Sequence, residues 1–133
     1  MKFIDTNIFL RFLTDDDPAI AKRCEDMFKL ALKKNEPLYT TDTVIVELVW
    51  VLESYYGLSK QAIREKIEKI LNTPNLQCPH KDLLFECISL YTIKNIDFVD
   101  AYNALIMREK DIKIVYSYDT HFDRISWIKK IEP

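Results

Sequence analysis

Five short apolar runs, KFID at 2–5, LYT at 38–40, NLQC at 75–78, IKIVYS at 112–117 and WIKKI at 127–131, are separated by stretches with apolar residues at helical spacing. That alternation restricts the fold more than any other feature of the chain. A parallel strand pair needs a long crossover, usually helical, whereas an antiparallel pair closes with a tight turn, so strands interleaved with helices predict a mainly parallel sheet. The expected class is α/β.

The intervening segments carry their own start and stop signals. DDDPAIAKRCEDMFKLALKKN predicts a helix over about 18–34, with Pro18 in the first turn and Ile20, Cys24, Met27, Phe28, Ala31 and Leu32 on one face. Asp42 is placed to cap a helix that runs to Tyr56, where Gly57 suits the left-handed residue after a helix end. Ser59 caps a further helix with Ile63, Ile67, Ile70 and Leu71 as its apolar stripe and Glu65 with Lys69 as an i,i+4 ion pair. Leu84, Cys87, Ile88 and Tyr91 mark another, and a last helix begins near Asp97. The β-branched and aromatic content of residues 112–117 predicts a buried strand.

Composition removes several classes of function. With 133 residues, 48% of them hydrophobic, the chain is expected to form one domain with a core that needs no metal or disulfide staple. Nineteen basic residues against 21 acidic ones advertise no polyanion-binding surface. Cys24, Cys78 and Cys87 are odd in number and lack CxxC spacing, which points to reduced thiols. Asp5, Asn7 and Arg11 interrupt the apolar start, so neither a signal peptide nor a membrane span is expected, and a cytoplasmic setting follows. The single glycine, Gly57, rules out P-loop and dinucleotide-binding motifs, which need several.

In open parallel sheets, ligands gather beyond the carboxyl ends of the strands. Here the residues in those places are acidic. Asp5 ends the first run, Asp119 follows the fourth, and Asp97 and Asp100 sit in the first turn of the helix that feeds it. Glu47 interrupts the apolar VIVELVWVL and lies about 7 Å along the helix axis from Asp42. A carboxylate amid such residues must reach solvent, pair with a cation or stay protonated. Two carboxylates about 4 Å apart repel by roughly 4 kcal/mol at an effective dielectric near 20, so acids converging on one rim call for a divalent cation. Oxygen ligands favour Mg²⁺ or Mn²⁺ over zinc.

Each acid also has an ordinary structural role open to it: Asp97 as a helix cap, Asp100 as a dipole partner, Asp119 as a turn residue. His80 and His121 read as helix-start and turn residues, and no nucleophile elbow accompanies them. Arg11, Lys60, Arg64, Arg108 and Arg124 are candidate phosphate contacts that could equally be solvated surface charge.

FIDTN at the start, Glu47 early in its helix, DFVDAYNALI and YSYDTHF together resemble the PIN domain, and within it the VapC toxins of prokaryotic toxin-antitoxin pairs. The resemblance covers essentially the whole chain. It implies a three-layer α/β/α sandwich forming a single domain over 1–133. It implies Asp5, Glu47, Asp100 and Asp119 as catalytic and metal-ligating acids, Thr6, Asn7 and Ser117 as polar neighbours, and Asp97 as an accessory acid. It further implies Mg²⁺- or Mn²⁺-dependent cleavage of RNA of the tRNA or rRNA type, a homodimer, and a cognate antitoxin. Two departures stand out: Ser117 in place of the usual Thr, and Lys110–Asp111 in place of a helix-ending Gly.

Competing readings are a PIN-like regulator that binds without cutting, a housekeeping RNA-processing nuclease, and a receiver or phosphatase fold. DTN lacks the second Asp of the phosphatase DxDxT pattern, and no acidic pair precedes the first strand.

Overall fold

The computed structural model describes all residues, 1–133, and contacts between them divide the chain into two compact units, Met1–Lys81 and Asp82–Pro133. Strands and helices alternate in both, and every strand pair is parallel.

The first unit contains β1 (Lys2–Phe3), α1 (Thr6–Leu13), α2 (Pro18–Lys33), β2 (Leu38–Tyr39), α3 (Asp42–Ser54), α4 (Lys60–Leu71) and β3 (Leu76–Gln77). Its sheet has the order β1-β2-β3, with Lys2 opposite Leu38 and Leu38 opposite Leu76. The strands are short, but Ile4 N–H donates to the Tyr39 carbonyl at 2.8 Å and Thr40 N–H to the Gln77 carbonyl at 2.9 Å, which carries the pairing one residue further. Helix α2 starts as expected, with Pro18 at its first position and Asp17 Oδ1 accepting from Ile20 N–H at 3.1 Å. Phe28 then meets Phe9 and Phe12 of α1, at 6.0 and 5.0 Å between ring centroids. Leu38, Ile45, Leu48, Leu52, Ile63 and Ile67 are fully buried, each contributing roughly 1.5–3 kcal/mol of transfer free energy.

The second unit follows with α5 (Lys81–Ile93), whose first residue belongs to the preceding unit, then α6 (Phe98–Glu109), β4 (Ile114–Tyr116), a 3₁₀ turn at Thr120–Arg124 and β5 (Lys129–Ile131). Strands β4 and β5 pair with Ile114 opposite Lys129. Leu84, Cys87, Ile88 and Tyr91 are buried as their spacing predicts, and Tyr91 meets Phe98 edge-on at 5.8 Å. No disulfide joins the cysteines, and no helix is long and apolar enough to cross a membrane.

Three local expectations need correction. Thr41, not Asp42, caps α3, its Oγ1 accepting from Val44 N–H at 3.4 Å; a threonine hydroxyl does the same work one residue earlier and releases Asp42 for other contacts. On α4 the ion pair is Arg64 with Glu68 at 2.7 Å, and Lys69 instead lies 4.7 Å over the Phe12 ring. Strand β4 forms, but Ile114 and Tyr116 are exposed rather than buried. Side-chain composition reports pleated backbone without fixing how many faces of it are covered.

Gly57 closes α3 with φ +63°, which returns its own N–H to the Glu53 carbonyl and that of Leu58 to the Leu52 carbonyl, both at 3.1 Å. Beyond α6, the place where the family resemblance leads one to expect glycine is held by Asp111, also left-handed at φ +54°. An added Cβ at Gly57 would meet nothing within 4 Å, so only backbone conformation opposes it. Gly57→Ala is therefore expected to cost about 1 kcal/mol, and Asp111→Gly to stabilise by about 0.5–1 kcal/mol, in urea unfolding. Equal and negligible effects at both positions would contradict the left-handed assignment.

Candidate functional site

In the first unit the end of β1 is held on two sides. Ile4 N–H pairs with β2, and the Ile4 carbonyl accepts from the buried Thr40 hydroxyl at 3.0 Å. The next residue, Asp5, is extended at φ −88°, ψ 163° and stands at the N-cap of α1. Aspartate there normally accepts from a first-turn N–H, yet the Asp5 side chain makes no such bond and remains exposed. Thr6, 3% exposed, donates from Oγ1 to Glu47 Oε2 at 2.9 Å, tying the first turn of α1 to α3.

That bond answers the question posed by a glutamate inside VIVELVWVL. Val44, Ile45, Leu48, Val49 and Leu52 turn inward, whereas Glu47 lies on the exposed face of α3 with Trp50 and Tyr55. The charge reaches solvent and is steered by one buried hydroxyl. Asn7 is exposed one residue beyond Thr6.

The second unit brings Asp100, Asp119 and His121 together, with one ligand atom of each within 4.8 Å of the others. Asp97 caps α6, its Oδ2 accepting from Val99 N–H at 3.3 Å, which fixes Asp100 in the first turn. After β4, Ser117 Oγ accepts from Asp119 N–H at 2.9 Å, and Asp119 Oδ1 accepts from His121 N–H at 2.9 Å. This chain of side-chain-to-backbone bonds sets the 3₁₀ turn and returns the His121 ring, whose Nδ1 is 3.1 Å from Asp100 Oδ2 and 3.5 Å from Asp119 Oδ1. The Asp97 N–H also donates to that Nδ1, at 3.2 Å.

Two carboxylates so placed cannot both ionise freely. Burial, then the hydrogen bond shared with Asp119, pushes the Asp100 carboxyl up to about 6. Asp119 moves the other way, held below the ordinary carboxylate value first by the His121 N–H and then by Asp100. Below about pH 6 the Asp100 side therefore holds a proton while Asp119 is ionised. Above that pH both carboxylates are charged and oppose each other.

The sequence model of the PIN domain family matches residues 2–128. The chain belongs to the PIN domain family. A protein described as a VapC ribonuclease, from Aquifex aeolicus (strain VF5), is 30% identical over 133 residues, covering 100% of this chain and 97% of its own. The crystal structure of Mycobacterium tuberculosis VapC20, described as a sarcin-ricin loop cleaving toxin, aligns over 100% of both chains at 20% identity with a TM-score of 0.43.

In this PIN domain His121 is the residue that sequence reasoning missed. It is a turn residue, as expected, but its ring also stands among the acids, so the donor set is not oxygen alone. The signal available was its place two residues after Asp119, where an aspartate-capped turn folds the side chain back. Among the basic candidates, Arg64 pairs with Glu68, Arg108 with Glu86 at 2.6 Å, and Arg124 donates to the Asn95 carbonyl, so each has a structural partner. Arg11 is exposed in the last turn of α1.

The raised pKa of Asp100 has a definite sign in stability. Protonation at this carboxyl favours the folded state, so its contribution is complete below the ordinary value of 3.8 and is lost as pH rises through about 6. In metal-free buffer, Asp100→Asn is expected to gain in Tm relative to the parent as pH rises from about 4 to about 7. A Tm difference independent of pH over that range would refute the raised pKa of Asp100.

Proposed function

We propose that this PIN domain is a VapC-type endoribonuclease that hydrolyses RNA phosphodiester bonds with Mg²⁺ or Mn²⁺, and that it is the toxin of a toxin-antitoxin pair. The observation that carries the reading is the crowded Asp100, Asp119 and His121 group, whose ligand atoms lie within 4.8 Å of one another. The VapC ribonuclease that shares 30% identity end to end supports the reaction class. A family match that runs through both units supports reading residues 1–133 as one PIN domain.

The donor set fits a divalent cation that accepts carboxylates and tolerates an imidazole, a description that suits Mn²⁺ at least as well as Mg²⁺. Asp100 and Asp119 would hold it, with Asp5 and Glu47 as the further acids of the site. When bound, the cation supplies charge neutralisation on the phosphodiester and lowers the pKa of water. The chain's own residues then have separable tasks. Asp5 offers a carboxylate not engaged in capping, Thr6 aims Glu47, Ser117 and Asp97 fix the backbone that presents Asp119 and Asp100, and Asn7 is a polar contact for the substrate. His121 places its Nδ1 3.1 Å from the Asp100 carboxyl. The substrate is RNA of the tRNA or rRNA type, the protein partners are a cognate antitoxin and a second copy of the chain, and the setting is the cytoplasm.

Incubation of the purified protein with labelled single-stranded RNA tests this. Cleavage is expected with Mn²⁺, to be abolished by EDTA, and to fall at least about 100-fold in Asp5→Asn, Glu47→Gln, Asp100→Asn and Asp119→Asn. Cleavage indifferent to chelator and to these substitutions would overturn the mechanism. Thr6→Val is expected to retain the fold and cleave at least about 10-fold more slowly, through loss of the bond that orients Glu47.

A further inference from the structure

Three side chains of metal-ligating types, Cys78, His80 and Asp42, are joined by hydrogen bonds in the first unit, between the loop after β3 and the first turn of α3. Asp42, 16% exposed at its side chain, directs its two oxygens at two different neighbours. Oδ2 is 2.7 Å from His80 Nδ1, and Oδ1 accepts from Cys78 Sγ at 3.7 Å. Cys78 and His80 are separated only by Pro79, whose ring restricts the backbone between them. His80 takes the left-handed conformation, φ +54°, which a residue with a Cβ adopts at a cost of about 1 kcal/mol. Lys81 Nζ clasps the same loop by donating to the Leu76 carbonyl at 2.7 Å. The loop thus holds a strained turn that brings a sulfur and an imidazole onto one carboxylate.

We propose that Cys78, His80 and Asp42 form a site for a borderline-soft divalent cation of the zinc class, separate from the acidic residues of the ribonuclease reading. Sulfur, nitrogen and oxygen from three side chains, with water in a fourth position, is a tetrahedral zinc donor set; hard Mg²⁺ would not select the thiol. Without metal the sulfur is a thiol, because burial and then Asp42 push Cys78 up to about 12. On binding, the S–H bond breaks, its proton leaves to solvent, and a metal–sulfur bond forms. The bound ion would cross-link the end of β3 to the start of α3.

Co²⁺ is the probe that tests this, since only sulfur ligation produces a near-ultraviolet sulfur-to-cobalt charge-transfer band and the acidic group in the second unit contains no sulfur. Cys24 and Cys87 are buried, which leaves Cys78 as the accessible thiol. The band is expected to saturate with Co²⁺ at the intensity of a single thiolate ligand, to be displaced by Zn²⁺, and to be absent from Cys78→Ser. It should weaken about 10-fold or more in affinity in His80→Ala and be unchanged in Asp119→Asn. Absence of the band in the parent protein, or its persistence in Cys78→Ser with circular dichroism unaltered, would overturn the site. The outcome is independent of whether the chain cleaves RNA.

Discussion

Parallel strands cannot be joined by a tight turn, and most of what this protein does follows from that restriction. Every strand in the three-stranded sheet points the same way, so the residues that leave β1, β2 and β3 emerge along one edge. Asp5, the Thr41 and Asp42 pair, and Cys78 are those residues. The Thr40 hydroxyl on the Ile4 carbonyl holds two of the exits in register, and the crossover helices then start from defined places. Leu38 and Leu76 commit the two later strands to the core, and polar chemistry collects at the edge where the chain leaves them.

Electrostatics divides the candidate acids into two kinds. Glu47 is exposed and needs only a hydroxyl to aim it. Asp100 is mostly buried beside another carboxylate, and both features raise its pKa. Helix α6 opposes the effect with the positive end of its dipole and does not prevail, because desolvation and a like charge at hydrogen-bonding distance outweigh a terminal dipole. The contrast sets Asp100 and Asp119 apart as the pair whose charges oppose each other.

Elements governed by short-range rules were legible in the sequence. Asp17 with Pro18, Ser59 and Asp97 mark helix starts through bonds within a few residues, and each start falls where the spacing puts it, whereas α3 ends at Ser54, two residues short of the expected Tyr56. The stripe of Ile63, Ile67, Ile70 and Leu71 is buried for the same local reason. Features that depend on residues far apart in the chain were not. The exposure of Ile114 and Tyr116 is set by what packs on β4, which periodicity does not encode. The choice of Arg64 over Lys69 for an ion pair depended on Phe12, more than fifty residues away, offering Lys69 its ring. His121 looked like turn chemistry because its backbone is turn chemistry; its ring's second role appears only once α6 is alongside.

The scarcity of glycine has a consequence for the unfolded chain as much as for the folded one. With one glycine among 133 residues, the denatured ensemble explores fewer backbone states, and less disorder is surrendered when the protein folds. The compensation appears in the native structure, where Asn35, His80, Asn95 and Asp111 occupy left-handed positions that glycine would fill without strain. Asparagine and aspartate tolerate that geometry best, and three of the four positions carry them. Tension is thereby concentrated at a few helix ends, while the rest of the backbone is stiffened against wandering before it ever collapses.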